Sequence, residues 1–175
     1  EKYVVRFILY LSFLLWKFLS LRFTDFNFVA ALLEGIEASN YETATPVQEQ
    51  VIPPILSGRD VIASAQTGTG KTAAFLLPVM NQLLLHPVTD SVGTLILVPT
   101  RELADQVHGV CRSLTANLPG KVTSIAIYGG VSINVQMQRI GRADIVIATP
   151  GRLLDLIEKN AVKLSAIVTL VLDEA

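Results

Sequence analysis

The chain has 175 residues, enough for one domain with a sizeable core, and 51% of them are hydrophobic. Its formal net charge is -1, so no overall basic excess announces a nucleic-acid binder, and any such role must rest on local sites. The single cysteine, Cys111, excludes a disulfide framework and reads as a small core residue. The two histidines, His86 and His108, have no Cys or acidic companions at metal-ligand spacing and read as surface or loop residues.

Residues Tyr3 to Leu21 form an apolar run interrupted by Arg6 and Lys17. The charge-free centre, Phe7 to Trp16, is shorter than the roughly 20 residues a bilayer needs. No small-residue cleavage pattern follows it. Residues 1–21 therefore read first as an extension outside the folded domain, second as an added helix packed on it, and last as a membrane anchor. The chain starts at Glu1 and stops just after an acidic pair, so it reads as a piece of a longer protein.

Beyond Leu21 the texture changes. Phe26, Val29, Ala30, Leu33 and Ile36 fall at helical spacing, with Asp25 or Asn27 as candidate caps. After a turn at Ser39-Asn40-Tyr41, Thr45-Pro46 opens a second helix to about Leu56, with proline at its first position. Val61-Ile62-Ala63 reads as a short buried strand. Ala65-Gln66-Thr67-Gly68-Thr69-Gly70-Lys71-Thr72 follows, and then a helix to about Leu85. Strand, glycine loop, Lys-Thr, helix is the context of a phosphate-binding P-loop, although Ala65 stands where the general pattern has glycine. Gly68 and Gly70 let backbone N–H groups approach phosphate oxygens, and the helix start points its positive end at the same anion. Lys71 is placed to reach the β- and γ-phosphates of a nucleotide, and the Thr72 hydroxyl to ligate Mg²⁺.

Four further apolar runs read as strands: Leu95 to Val98, Thr123 to Tyr128, Ile145 to Ala148 and Val168 to Leu172. Helices are expected between them, to about Leu118, over Val131 to Ile140 and to about Lys159. Five strands alternating with helices predict an α/β fold: an open, mostly parallel sheet with helices on both faces. In such sheets ligands gather at the carboxyl edge of the strands. Every polar motif is expected there: Gly68 to Thr72, Pro99-Thr100-Arg101, Gly129-Gly130, Thr149-Pro150-Gly151-Arg152 and Asp173-Glu174. An acidic residue at a strand tip beside a P-loop suits Mg²⁺, and a neighbouring carboxylate suits orienting a water.

In this order, Phe23, Thr45-Pro46-Val47-Gln48, Ala65 to Thr72, Pro99 to Leu103, Gly129-Gly130, Thr149 to Arg152 and Asp173-Glu174-Ala175 resemble the first RecA-like domain of a DEAD-box RNA helicase. The likeness covers Arg22 to Ala175, with residues 22–49 as the Q-motif region and 50–175 as the ATP-binding domain, cut within the acidic motif. Two positions depart from the family's usual pattern, Asn40 for glycine and Ala44 for proline. The resemblance implies ATP and Mg²⁺ as cofactors. Gln48 would read adenine and Phe23 stack on it; Asp173 would bind Mg²⁺ and Glu174 act as base toward water. Pro99, Thr100, Arg101, Gly129, Gly130, Thr149, Pro150, Gly151 and Arg152 would grip the RNA backbone without reading sequence. It also implies a second RecA-like domain carrying an arginine finger, no obligate oligomer, and a nucleic-acid-bearing, cytoplasmic compartment. On that basis the chain alone is expected to bind ATP weakly and not to unwind RNA. The competing readings are a DEAH-type or DNA helicase, a P-loop switch that remodels no nucleic acid, and a membrane-tethered ATPase.

Overall fold

The computed structural model describes residues 20–88, 91–116, 118 and 122–174. The apolar run before Ser20, and the readings attached to it, lie outside these. Leu21 already belongs to the folded unit. Its N–H donates to Glu49 Oε1 at 2.8 Å and its carbonyl accepts from Ala44 N at 2.8 Å.

In chain order, a 3-10 turn (Phe23–Asp25) precedes α1 (Ala30–Ala38), α2 (Pro46–Leu56) and α3 (Lys71–Leu85). Then come β1 (Thr94–Leu97), α4 (Arg101–Thr115), β2 (Ser124–Ile127), α5 (Ile133–Ile140), β3 (Ile145–Ala148), α6 (Pro150–Glu158) and β4 (Thr169–Leu172). The four strands form one sheet in the order β2-β3-β1-β4, every pair parallel. Side chains alternate across it as the pleat requires. Ile96, Ile145 and Ile147 face one core with Leu76, Met80 and Cys111, while Leu95, Val146 and Ala148 face the other with Ile140, Leu153 and Leu156. Helices thus cover both faces, as the continuous apolar strands predict.

Two expectations fail. Val61-Ile62-Ala63 is not a strand: it has no ladder partner among the described residues, and Ile62 is fully exposed. A short apolar run signals a buried strand only where a neighbour completes its hydrogen bonds, and β4 does not pair with it here. Nor does the first helix begin at Phe26. It starts at Ala30, because Asp25 is spent on the preceding turn, where its Oδ2 accepts from Arg22 N at 2.9 Å. The free N–H of Val29, just before α1, is satisfied instead by Asn81 Oδ1 of α3 at 2.8 Å, a part-buried long-range bond with no local sequence signal.

The region before α2 shares the main core. Phe23, Phe26, Phe28, Leu32 and Ile36 pack with Ile52 and α3. The edge strand β4 differs from its neighbour β1: Val168 just before it, Leu170 and Leu172 are 70%, 58% and 60% exposed, so one face of β4 is bare.

Candidate nucleotide and nucleic-acid site

The register sets the site. Ile127 lies opposite Ala148, Ala148 opposite Leu97, and Leu97 opposite Leu172. All four strands therefore end in a single row, and the motifs at 99–101, 129–130, 149–152 and 173–174 leave the sheet within a few residues of it, whereas the loop at 65–72 follows no strand. Four of the five motifs expected at this edge thus follow strand ends, and the fifth reaches it through Lys71, which shares a cleft with Asp173 and Glu174.

On the β4 side, α3 opens directly from the glycine loop. Gly70 caps it with φ 91°, and Gly68 has φ 81°, both in the left-handed region that favours glycine. Thr69 Oγ1 closes the loop by donating to Gln66 O at 2.7 Å. Beneath it lies a cleft of about 660 Å³ whose lining includes Ala65, Lys71, Asp173 and Glu174. Thr72 sits on the same first helical turn, half-buried, though it does not line the cleft. Burial raises the Asp173 carboxyl above its ordinary range and Glu174 adds to this, while Lys71 opposes it. A carboxylate, a lysine and a cradle of backbone N–H groups at a helix start suit a polyanion that brings a divalent cation with it. No cluster of three or more His, Cys, Asp or Glu side chains exists among the described residues. Asp173 at the cleft, and the Thr72 hydroxyl one residue beyond Lys71, are the protein groups that could hold a Mg²⁺ brought by such a ligand.

Gln48 is 1% exposed and its amide is already occupied at both ends. Its oxygen accepts from Thr45 N at 2.8 Å, as in a capping box, and its nitrogen donates to Gly70 O at 3.1 Å. A Cβ on Gly70 would meet Gln48 Nε2 at 2.5 Å. Gln48 thus pins the glycine loop to α2. Phe23 is likewise buried, tilted against Phe26 at 6.0 Å and edge-on to Tyr41 at 5.9 Å. It lines a different groove, with Arg22, Asn40 and Tyr41, that shares no residue with the cleft.

On the other side, the row carries three loops. Thr100 caps α4, its hydroxyl accepting from Leu103 N at 3.2 Å. Arg101 is exposed and pairs with Glu102 at 2.6 Å; a Cβ on Gly130 would lie 4.0 Å from its Nη1. The Arg101–Glu102 bond raises the guanidinium and lowers the carboxyl. At this exposure the pair adds little stability and leaves the arginine free to change partners. Gly129 and Gly151 have open space where a Cβ would stand. Pro150 is the first residue of α6, with Thr149 as its cap. Arg152 behaves differently from the sequence expectation, since its side chain turns inward. Its Nη1 donates to Val131 O at 2.9 Å and to Gln136 Oε1 at 3.0 Å.

Sequence reasoning missed three contributors: Gln136, which donates to Tyr128 O at 3.2 Å; Asp105, which accepts from the Tyr128 hydroxyl at 2.8 Å; and Asn81. The bond to Asp105 is also what raises the Tyr128 hydroxyl above its usual range. Gln136 left one usable signal, a polar residue at an inward position of an amphipathic helix.

Comparison with known proteins agrees with this fold. The family model for the DEAD/DEAH box helicase matches residues 45–175. The chain belongs to that family. The DEAD-box ATP-dependent RNA helicase CshA of Streptococcus pneumoniae serotype 4 is 46% identical over 156 residues, covering 89% of this chain and 29% of that protein. The probable ATP-dependent RNA helicase DDX59 of Mus musculus is 44% identical over 154 residues, covering 87% of this chain and 24% of its own length. A crystal structure of a DEAD box protein from the hyperthermophile Methanococcus jannaschii superposes with a TM-score of 0.78 at 35% identity, covering 87% of this chain and 41% of that one. The helicase-family chain described here therefore spans under a third of these curated relatives. Among the described residues, no helix is long and apolar enough to cross a membrane.

Proposed function

We propose that this chain is the ATP-binding first RecA-like domain of an ATP-dependent RNA helicase. The observation that carries the reading is the single row of strand ends, with Lys71, Asp173 and Glu174 lining one cleft at its β4 end and the Arg101, Gly130 and Thr149 loops at the other. The cradle of residues 65–72 holds the phosphates through backbone N–H groups, and Lys71 supplies counter-charge. Gln48 keeps the loop in that shape; reading adenine with the same amide requires it to exchange one of its two present partners. Bound Mg²⁺ would neutralise charge on the phosphates, with Asp173 and Thr72 as its holders. Glu174 stands next to Asp173 at the cleft and is the group to orient and deprotonate an attacking water. Arg101 and the amides at the starts of α4 and α6 grip RNA phosphates without reading bases. Parting a duplex needs a second domain closing on the first, so this chain binds and does not unwind.

Cross-linking of a photoreactive ATP analogue in Mg²⁺ tests the first half. Labelling that unlabelled ATP competes away, and that Lys71→Ala eliminates, supports the reading. Labelling indifferent to Lys71, or clear duplex separation by the chain alone, contradicts it.

A further inference from the structure

Three elements meet at one buried amide. Gln136 is 5% exposed on α5, its nitrogen holding the carbonyl of Tyr128 at the end of β2 and its oxygen receiving Arg152 from the start of α6. Arg152 extends the connection, since the same Nη1 also donates to Val131 O, just past Gly129-Gly130. Its side chain is only 11% exposed, and its Nε lies 3.4 Å from Asp155 Oδ2, an ion-pair distance without a hydrogen bond. The glycine-bearing segments 129–131 and 149–151, the second being the start of α6, are thus joined through side chains in addition to the backbone bond from Thr149 N to Ile127 O at 3.0 Å.

We propose that Gln136 and Arg152 form a clamp that positions both loops for RNA, Gln136 being a positioning residue and Arg152 acting through the loop it holds rather than through a phosphate. The proposal rests on the RNA-binding reading above. Loops of glycine and small residues lose much conformational freedom on binding, and a prior tie to the scaffold removes part of that cost. The chemistry separates a clamp from a phosphate contact. Gln136 is neutral, so removing it releases no counterion change, and an arginine engaged inward behaves in the same way.

The test is equilibrium binding of a labelled oligouridine to the full chain across a salt series, with thermal melting of every variant. We expect Gln136→Met and Arg152→Ala each to weaken binding about fivefold, the worth of one lost buried hydrogen bond or a little more. The dependence of log K on log salt keeps its wild-type slope in both, and the double variant is no weaker than either single one. Arg101→Ala, by contrast, lowers the slope by about 0.7, the share of one phosphate contact on a single strand. Wild-type affinity in Gln136→Met, additive losses in the double variant, or a slope change in Arg152→Ala equal to that of Arg101→Ala overturns the clamp. Should Gln136→Met not fold, the slope of Arg152→Ala decides alone. An oligouridine that the wild-type chain does not bind, or binds independently of salt and of Arg101, overturns the RNA reading itself and the clamp with it.

Discussion

The two ends of the strand row are built to different standards. On the β2-β3-β1 side, β3 is buried throughout, β1 is buried up to its last residue and β2 is at least half-buried, and the loops are fastened by Tyr128 to Asp105, Gln136 to Tyr128 and Arg152 to Val131. On the β4 side, residues 61–65 run without a ladder, β4 exposes one face, and the glycine loop is held from outside mainly by Gln48. Order in the first region comes from packing and side-chain bonds. In the second, under the proposed function, much of it would come from the bound nucleotide's phosphates. Regions with few buried contacts are the ones whose local opening costs least, and a ligand that binds them stabilises them most.

That contrast can be broken at several points. The largest effect is expected from Lys71→Ala, which removes the counter-charge at the loosely held end: nucleotide labelling disappears while oligouridine binding stays as in wild type, read by cross-linking and anisotropy on one preparation. Next is Gly70→Ala, which forces a side chain into a left-handed backbone and against Gln48. A loss of about 1–3 kcal/mol in chemical denaturation is expected from the strain, together with lost nucleotide binding. Gln48→Ala is a milder cut of the same tie. We expect weaker binding of ATP and GTP alike, because the loop is unpinned; a loss confined to ATP would show that the amide reads the base instead.

Smaller still is the effect of Asp173→Asn. The folded carboxyl is raised by burial, so the folded state holds its proton more tightly than the unfolded chain does. Its contribution to stability is therefore present at low pH and lost as pH rises through the carboxylate range. The Asn variant should melt higher than wild type at neutral pH, and the gain should shrink as the solution is acidified below about pH 4, near the unfolded carboxyl's own pKa. Equal gains at both pH values would show that Asp173 is not desolvated in the fold. The well-packed side offers the smallest signal. Cys111 is buried, with its thiol pushed up to about 12, so it should resist maleimide in the native chain and react only after unfolding.

The same contrast explains what was legible in sequence. Strands β1 and β3 could be read because a sheet buried on both faces demands unbroken apolar runs. The P-loop was legible because Gly68, Gly70, Lys71 and Thr72 answer a local chemical need at fixed spacing. Val61 to Ala63 misled because the apolar signal reports what a segment could pair with, not whether a partner is there. Gln136, Asn81 and the inward turn of Arg152 were hidden for another reason. Each depends on which distant backbone group happens to need a partner, and no local pattern records that. The burial of Phe23 and the double engagement of Gln48 belong to the same class.

Hydrogen exchange of the full chain with and without millimolar Mg-ATP tests the central claim most directly. The account predicts slowed exchange confined to residues 65–72 and the 173–174 strand tip, abolished by Lys71→Ala, with the 128–152 loops unchanged. Protection that appears elsewhere, that survives Lys71→Ala, or that is absent altogether would contradict it.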